Sequence, residues 1–188
     1  MIYVKQADYR DMYYETNVLH GGRPPEKCNV AAGGCGLCAT YMVVQLLSDK
    51  TFTLEDCRDI AVECVANHSP GTDLDVLGPA VAEKLELSYR ASDSLDEVLQ
   101  CLRAGGKVVV HVQKGPFTTS GHYMLLVSYD GEDLCFLDSG NWEKYERDEL
   151  AEKVDSKHAP FRYCNAEFMH SQTSEKHTKY HLFDRKPV

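Results

Sequence analysis

The apolar period of this chain changes once, and that change limits the fold more than any other feature. Before Gly105-Gly106, apolar residues recur every three or four positions. Leu37, Tyr41, Val44 and Leu47 mark a helix starting beside Cys35. Leu54, Cys57, Ile60, Ala61 and Cys64 mark a second, with Thr53 and Asp56 as its start signal. Leu74, Leu77, Val81 and Leu85 mark a third over 73–85, and a fourth runs from Leu95 to Arg103, where the two glycines stop it. Beyond that point the apolar runs are short and rich in β-branched or aromatic residues. Residues 108–112, 123–129 and 134–138 read as strands, the last two joined at Asp130-Gly131. A short helix over 146–157 and a final strand over 180–183 follow. Residues 1–34 and the stretch Asn67–Gly71 read as irregular, and 165–179 as loop or frayed tail. Helices first and antiparallel strands after is the segregated α+β pattern. No linker divides the two parts. The expectation is one domain over 1–188, with a helical lobe at about 29–104 and a sheet lobe at about 107–188.

Composition narrows the partners. The chain has 188 residues, with 20 basic against 29 acidic side chains, for a net charge of −9. That sign repels nucleic-acid backbones and anionic lipid surfaces. No apolar run approaches the roughly 18 residues of a membrane span, and Met1–Asp8 lacks a secretory layout. Eight cysteines are too few for a disulfide scaffold of this length. A cytoplasmic protein with reduced thiols, no nucleic-acid partner and no membrane insertion is expected. The sequence sets no oligomeric state.

The stretch Gly33-Gly34-Cys35-Gly36-Leu37-Cys38 carries the strongest chemical signal. The glycines around Cys35 allow a sharp turn and close approach of a substrate. A helix starting at Cys35 places the sulfur over free backbone N–H groups at the positive end of the dipole, which favours the thiolate. A thiolate needs a base. Of the eight histidines (20, 68, 111, 122, 158, 170, 177 and 181), His122 stands out because it opens an apolar strand after Gly121. The hairpin then offers the base a partner. With Tyr129-Asp130-Gly131 as a three-residue loop, Ser128 pairs with Glu132 and His122 falls opposite Asp138, within side-chain reach. A two-residue turn would put the two on opposite faces. Trp142 is a candidate shield for that contact, or simply core. Phe117–Ser120 is a candidate cleft-lining loop, or plain surface.

Gly34-Cys35-Gly36, Gly121-His122-Tyr123 and Tyr129-Asp130-Gly131 followed by Asp138 resemble the papain-like cysteine peptidases that process double-glycine bacteriocin leaders, and their stand-alone relatives. The resemblance covers roughly residues 28–140. It implies a papain-like fold, with an N-terminal helical lobe packed on a C-terminal antiparallel sheet and the site in the cleft between. It implies Cys35 as nucleophile, His122 as general base and later acid, and Asp138 as its orienter. Asn29 stands where the family has a glutamine that completes the oxyanion hole, and presents the same amide on a shorter side chain. The expected activity is hydrolysis of a peptide or related acyl bond through a thioester, on a peptide or protein substrate, with no cofactor. Three other readings compete. Cys35-Gly36-Leu37-Cys38 is a Cys-x-x-Cys as in thiol oxidoreductases, but no strand is predicted to feed it. Cys28, Cys35, Cys38 and a histidine could hold zinc, but no second paired ligand set exists. A non-catalytic binding module is favoured by asparagine at position 29.

Overall fold

Two sets of helices share one sheet. The structure, a computed structural model, describes residues 3–15, 25–67 and 71–187. Positions 68–70 of the expected loop, His20, His68 and residues 21–24 of the irregular N-terminal stretch lie outside the described residues. In chain order the elements are α1 (Val30–Gly33), α2 (Cys35–Leu47), α3 (Leu54–Glu63), α4 (Leu74–Leu85), β1 (Leu87–Ser92) and α5 (Leu95–Arg103). Then come β2 (Lys107–Val112), β3 (His122–Tyr129), β4 (Asp133–Leu137), α6 (Asp148–Lys153), β5 (Val154–Asp155), β6 (Arg162–Asn165), α7 (Ala166–Ser171) and β7 (Tyr180–Arg185). The strands form one antiparallel sheet in the order β1-β7-β2-β3-β4-β6-β5.

Local chemistry sets the helix ends. Thr53 and Asp56 form a reciprocal capping box at α3, and the Asp73 side chain accepts from the Asp75 N–H at α4. Helix α5 ends before Gly105, whose φ of +93° suits a residue without a Cβ. The sheet divides the apolar residues. Val109, Leu125, Leu137 and Phe183 face α2, α3 and α4, while Val108, Val110, Val112, Met124, Leu126, Phe136 and Leu182 face α5, α6 and α7. A strand buried on both faces is apolar at nearly every position, which is why β2 carries Val108, Val109 and Val110 in a row. Among the described residues, no helix is long and apolar enough to cross a membrane.

Three expectations are corrected. Strand β1 was not foreseen: in Leu-Ser-Tyr-Arg-Ala-Ser only Leu87 is buried, because β1 is an edge strand paired to β7 alone. The helix expected over 146–157 is cut to α6, and its last turns become β5. The stretch 165–179 is not a tail. Asn165 caps α7, Met169 is fully buried, and the backbone beyond is tied to the end of β2 through Gln113 N–H to Gln172 O (3.0 Å) and Ser174 N–H to His111 O (2.9 Å).

The β3–β4 hairpin departs from the expected register in a way that matters for the site. Gly131 is left-handed as expected (φ +112°), but the loop is the two residues Gly131-Glu132, closed by Asp130 N–H to Asp133 O (3.2 Å). The Asp130 carboxylate braces it by accepting from the N–H groups of Glu132 and Asp133. Tyr129 therefore pairs with Leu134 and Ser128 with Cys135, not with Glu132. Continued unbroken, that register would separate His122 and Asp138 to opposite faces. A bulge between Leu126 and Ser128 shifts it, and pairing resumes as Leu126 with Phe136 and Leu125 with Leu137. The extra residue returns Asp138 to the His122 face, diagonally across rather than opposite.

Candidate active site

Cys35 is the first residue of α2, half-buried at the sheet end where β3 begins. The glycines beside it act by packing: a Cβ on Gly36 would come within 2.9 Å of Thr72 Cβ, and one on Gly34 within 2.5 Å of Val30 Cγ1. Removing those two side chains lets α2 seat against Thr72, Tyr123 and α1. The Cys35 thiol meets the His122 ring and the backbone N–H groups of Tyr123 and Gly36. Burial opposes its ionisation, but the His122 hydrogen bond and charge and the two N–H groups outweigh it, so the thiol lies below its ordinary pKa.

His122 opens β3 and is 9% exposed. Its Nε2 lies 2.7 Å from Asp138 Oδ1, which leaves Nδ1 as the nitrogen for the thiol. Burial alone would depress the imidazole; the Asp138 charge and hydrogen bond, with Cys35, reverse this and hold it above the usual histidine value. Asp138 follows β4 and is fully buried. Its Oδ1 also accepts from Gly140 N–H at 2.7 Å, and its Oδ2 is met by Tyr145 OH at 2.5 Å and Lys144 Nζ at 2.6 Å. Burial would raise this carboxyl, but His122 and Lys144 keep it well below the carboxylate range. A thiolate, an imidazolium and a carboxylate in line is an arrangement suited to nucleophilic attack on a carbonyl.

The structure brings Cys35, His122 and Asp138 together. Asn29 caps α1: its Oδ1 accepts from Ala32 N–H (3.0 Å) and its Nδ2 donates to Glu26 O (3.1 Å). Asparagine is a preferred N-cap, and both ends of this amide have backbone partners: its oxygen in α1 and its nitrogen at Glu26. Phe117 is not a cleft residue; it is 2% exposed and packs its ring near Phe136, Tyr145 and Phe168. Trp142 braces the loop that carries Asp138, donating from Nε1 to the Asp138 carbonyl (3.2 Å) with its ring against Tyr3 and the Arg162 guanidinium. The N-terminal stretch joins the same loop: Tyr3 OH donates to Asp138 O (2.9 Å), and Gln6 N–H to Ser139 O (2.8 Å). Gln6 Nε2 also donates to the carbonyls of Val30 and Ala31, so one residue ties the helical side to the sheet side.

The rival chemistries meet obstacles of placement. Cys38 lies a turn into α2, buried, its thiol pushed well above the ordinary value by burial and by Cys35. What precedes the Cys-x-x-Cys is α1, not a strand. Among the described residues, no group of three or more histidines, cysteines and carboxylates is placed to hold a metal ion. His111 and His181 go to packing and hydrogen bonds, His111 stacked on Tyr123 and His181 Nδ1 2.9 Å from Tyr89 OH.

The model of the Peptidase_C39 like family matches residues 12–164. The chain belongs to that family. Solved structures agree on the fold. A putative C39-like peptidase from Bacillus anthracis superposes with a TM-score of 0.55 at 14% identity, over 82% of this chain and 90% of that one. The peptidase domain of Streptococcus ComA, a bi-functional ABC transporter involved in a quorum-sensing pathway, does so with 0.55 at 13% identity, over 93% of this chain and 99% of that one. A comparison with curated proteins finds no match. A Peptidase_C39 like chain with helices packed on an antiparallel sheet has the α+β papain-like fold that the motifs led one to expect.

Proposed function

We propose that the protein is a cysteine peptidase whose nucleophile is Cys35, with His122 as proton carrier and Asp138 as its orienting anion. The observation that carries this reading is the placement of the His122 ring between the Cys35 thiol and the buried Asp138 carboxylate, with His122 Nε2 2.7 Å from Asp138 Oδ1. The Cys35 thiolate adds to the scissile carbonyl, and the oxygen gains charge beside the first-turn N–H groups of α2, which have no intrahelical acceptor. His122 Nδ1–H protonates the leaving amine as the carbonyl re-forms, leaving a Cys35 thioester. Water, losing a proton to His122, adds to the thioester and releases the acid and the thiol. The substrate is a peptide or protein, with a leader segment as the family resemblance suggests. A reactive thiol three residues from Cys38 favours a reducing compartment such as the cytoplasm.

The decisive experiment is a panel of peptide-derived electrophiles with mass mapping of the adduct. A single adduct on Cys35 that is lost in Cys35→Ser and strongly slowed in His122→Ala is expected. Even labelling of several cysteines, or an adduct elsewhere, overturns the assignment. A second reading, a binding module that keeps the fold, is favoured by the commitment of Asn29 to α1. Selective modification of Cys35 without turnover of any peptide in a broad library would select it. Loss of activity in Cys38→Ala would instead select dithiol chemistry; a peptidase keeps most of its rate.

A further inference from the structure

Asp138 is buried without a water-facing oxygen, yet one of its neighbours is a full positive charge that the motifs did not point to. Lys144 Nζ sits 2.6 Å from Asp138 Oδ2, and the lysine side chain is only 20% exposed. The same ammonium donates to Phe117 O at 2.8 Å, so it is fixed from two sides. Tyr145 OH shares Oδ2 with it, while Gly140 N–H and His122 Nε2 take Oδ1. Four donors around two oxygens leave the carboxylate one orientation.

We propose that Lys144 is a positioning residue for the Cys35–His122–Asp138 cluster, acting through its charge to keep Asp138 ionised and aimed at His122. This rests on the peptidase reading for its purpose, though not for its measurement. The physical reason is charge balance. A thiolate, an imidazolium and a carboxylate in one buried line sum to a net negative charge, which burial penalises. One ammonium hydrogen-bonded to the far oxygen brings the sum to zero and favours the state in which Cys35 is ionised. Among the described residues, the other titratable groups facing the cluster are Tyr145 at Oδ2, Tyr3 at the Asp138 carbonyl, Arg162 against the Tyr145 ring, Cys38 beside Cys35, Tyr123 and Tyr14 within electrostatic range of Cys35, and His111 within that of His122. None of these places a positive charge in contact with the carboxylate, as Lys144 does.

The sign of the effect follows. Without the ammonium, either Asp138 stays ionised and the thiolate forms in a more negative surrounding, or Asp138 takes a proton and His122 loses its support. Both raise the pH at which Cys35 becomes a thiolate. The test is the iodoacetamide alkylation rate of Cys35 against pH, followed by mass mapping, in the wild type and three variants. Lys144→Gln keeps a donor for Phe117 O and removes the charge; Lys144→Met removes both; Lys144→Arg keeps the charge. The midpoint is expected to move up by about one pH unit in the Gln and Met variants and to stay in place in Arg. An unshifted Gln variant overturns the proposal, and a shift in Met alone assigns Lys144 to tethering the Phe117 loop. If Lys144→Met fails to fold, the Gln and Arg variants carry the comparison. The readout is independent of peptide turnover: a protein that cleaves nothing but shows the charge-dependent shift refutes the peptidase reading and leaves the role of Lys144 standing.

Discussion

At the scale of the residue, Asp138 organises the cluster, and its burial makes its charge testable. Asp138→Asn preserves shape but offers His122 an amide in place of an anion. A fall in kcat/KM of about 100-fold or more is expected, measured on whichever peptide the electrophile panel identifies. The same variant reports on stability. The Asp138 carboxyl is held low in the folded chain, so its contribution is complete above the unfolded carboxylate pKa of about 3.9 and is lost as the pH falls through the folded value. His122 is held high, so its contribution is complete below about 6.5 and is lost as the pH rises through its folded value. Below about pH 4, where the unfolded carboxyl takes up its proton and the folded one does not, the melting temperature of the wild type should therefore fall more steeply with pH than that of Asp138→Asn; equal slopes in that window would remove Asp138 from the account. The three residues that meet were legible because each stands in a local signature: a glycine-flanked helix start, a strand opening after glycine, and a hairpin. Lys144 and Tyr145 were not, since nothing in Glu-Lys-Tyr-Glu distinguishes a solvated turn from one wrapped around a carboxylate. Asn29 offers a local role that spacing alone did not announce: its amide caps α1 and bonds Glu26 O.

At the scale of the element, capping rules and glycine stops located α2 to α5 within a residue or two, because those signals are written into neighbouring positions. Thr53→Ala removes half of the α3 capping box and should cost about 1 kcal/mol in urea unfolding, with the Cys35 alkylation profile unchanged. A change in that profile would mean that α3 is coupled to the site. What local signals could not locate were the pieces whose stability is tertiary. Strand β1 shows the sheet no alternating apolar face, and α7 is six residues long with one deeply buried methionine. The hairpin teaches the same lesson more sharply. The contact between His122 and Asp138 was expected from a register that does not form, and it exists because two departures cancel: a shorter loop and a bulge at Val127. Turn type alone could not have revealed the bulge, which lies inside an apolar run with no glycine or proline to mark it.

At the scale of the whole molecule, the sheet is common property of two apolar cores, one under α2–α4 and one under α5–α7. Alternate residues of β2 and β3 belong to each, so neither core can melt while the other keeps its strands. A single cooperative transition is the expected outcome. Cys57 is buried in the first core and Cys164 in the second, which gives a direct measurement. Their reactivity toward a thiol reagent, followed through a denaturant series, should appear at one midpoint. Two midpoints would mean that the halves open separately. The chain crosses to the far side of the sheet between β1 and α5, before the expected boundary near residues 104–107, so it wraps the sheet rather than stopping beside it.

Trp142 is the one indole in the chain, and its N–H is bound to the backbone of Asp138. The protein thus carries its own optical probe: ultraviolet emission, excited selectively at the red edge of absorption, originates a few ångströms from the proton-transfer line. A ligand held beside Cys35 or a change of charge there can be followed on the unlabelled protein, in real time and without a chromogenic substrate.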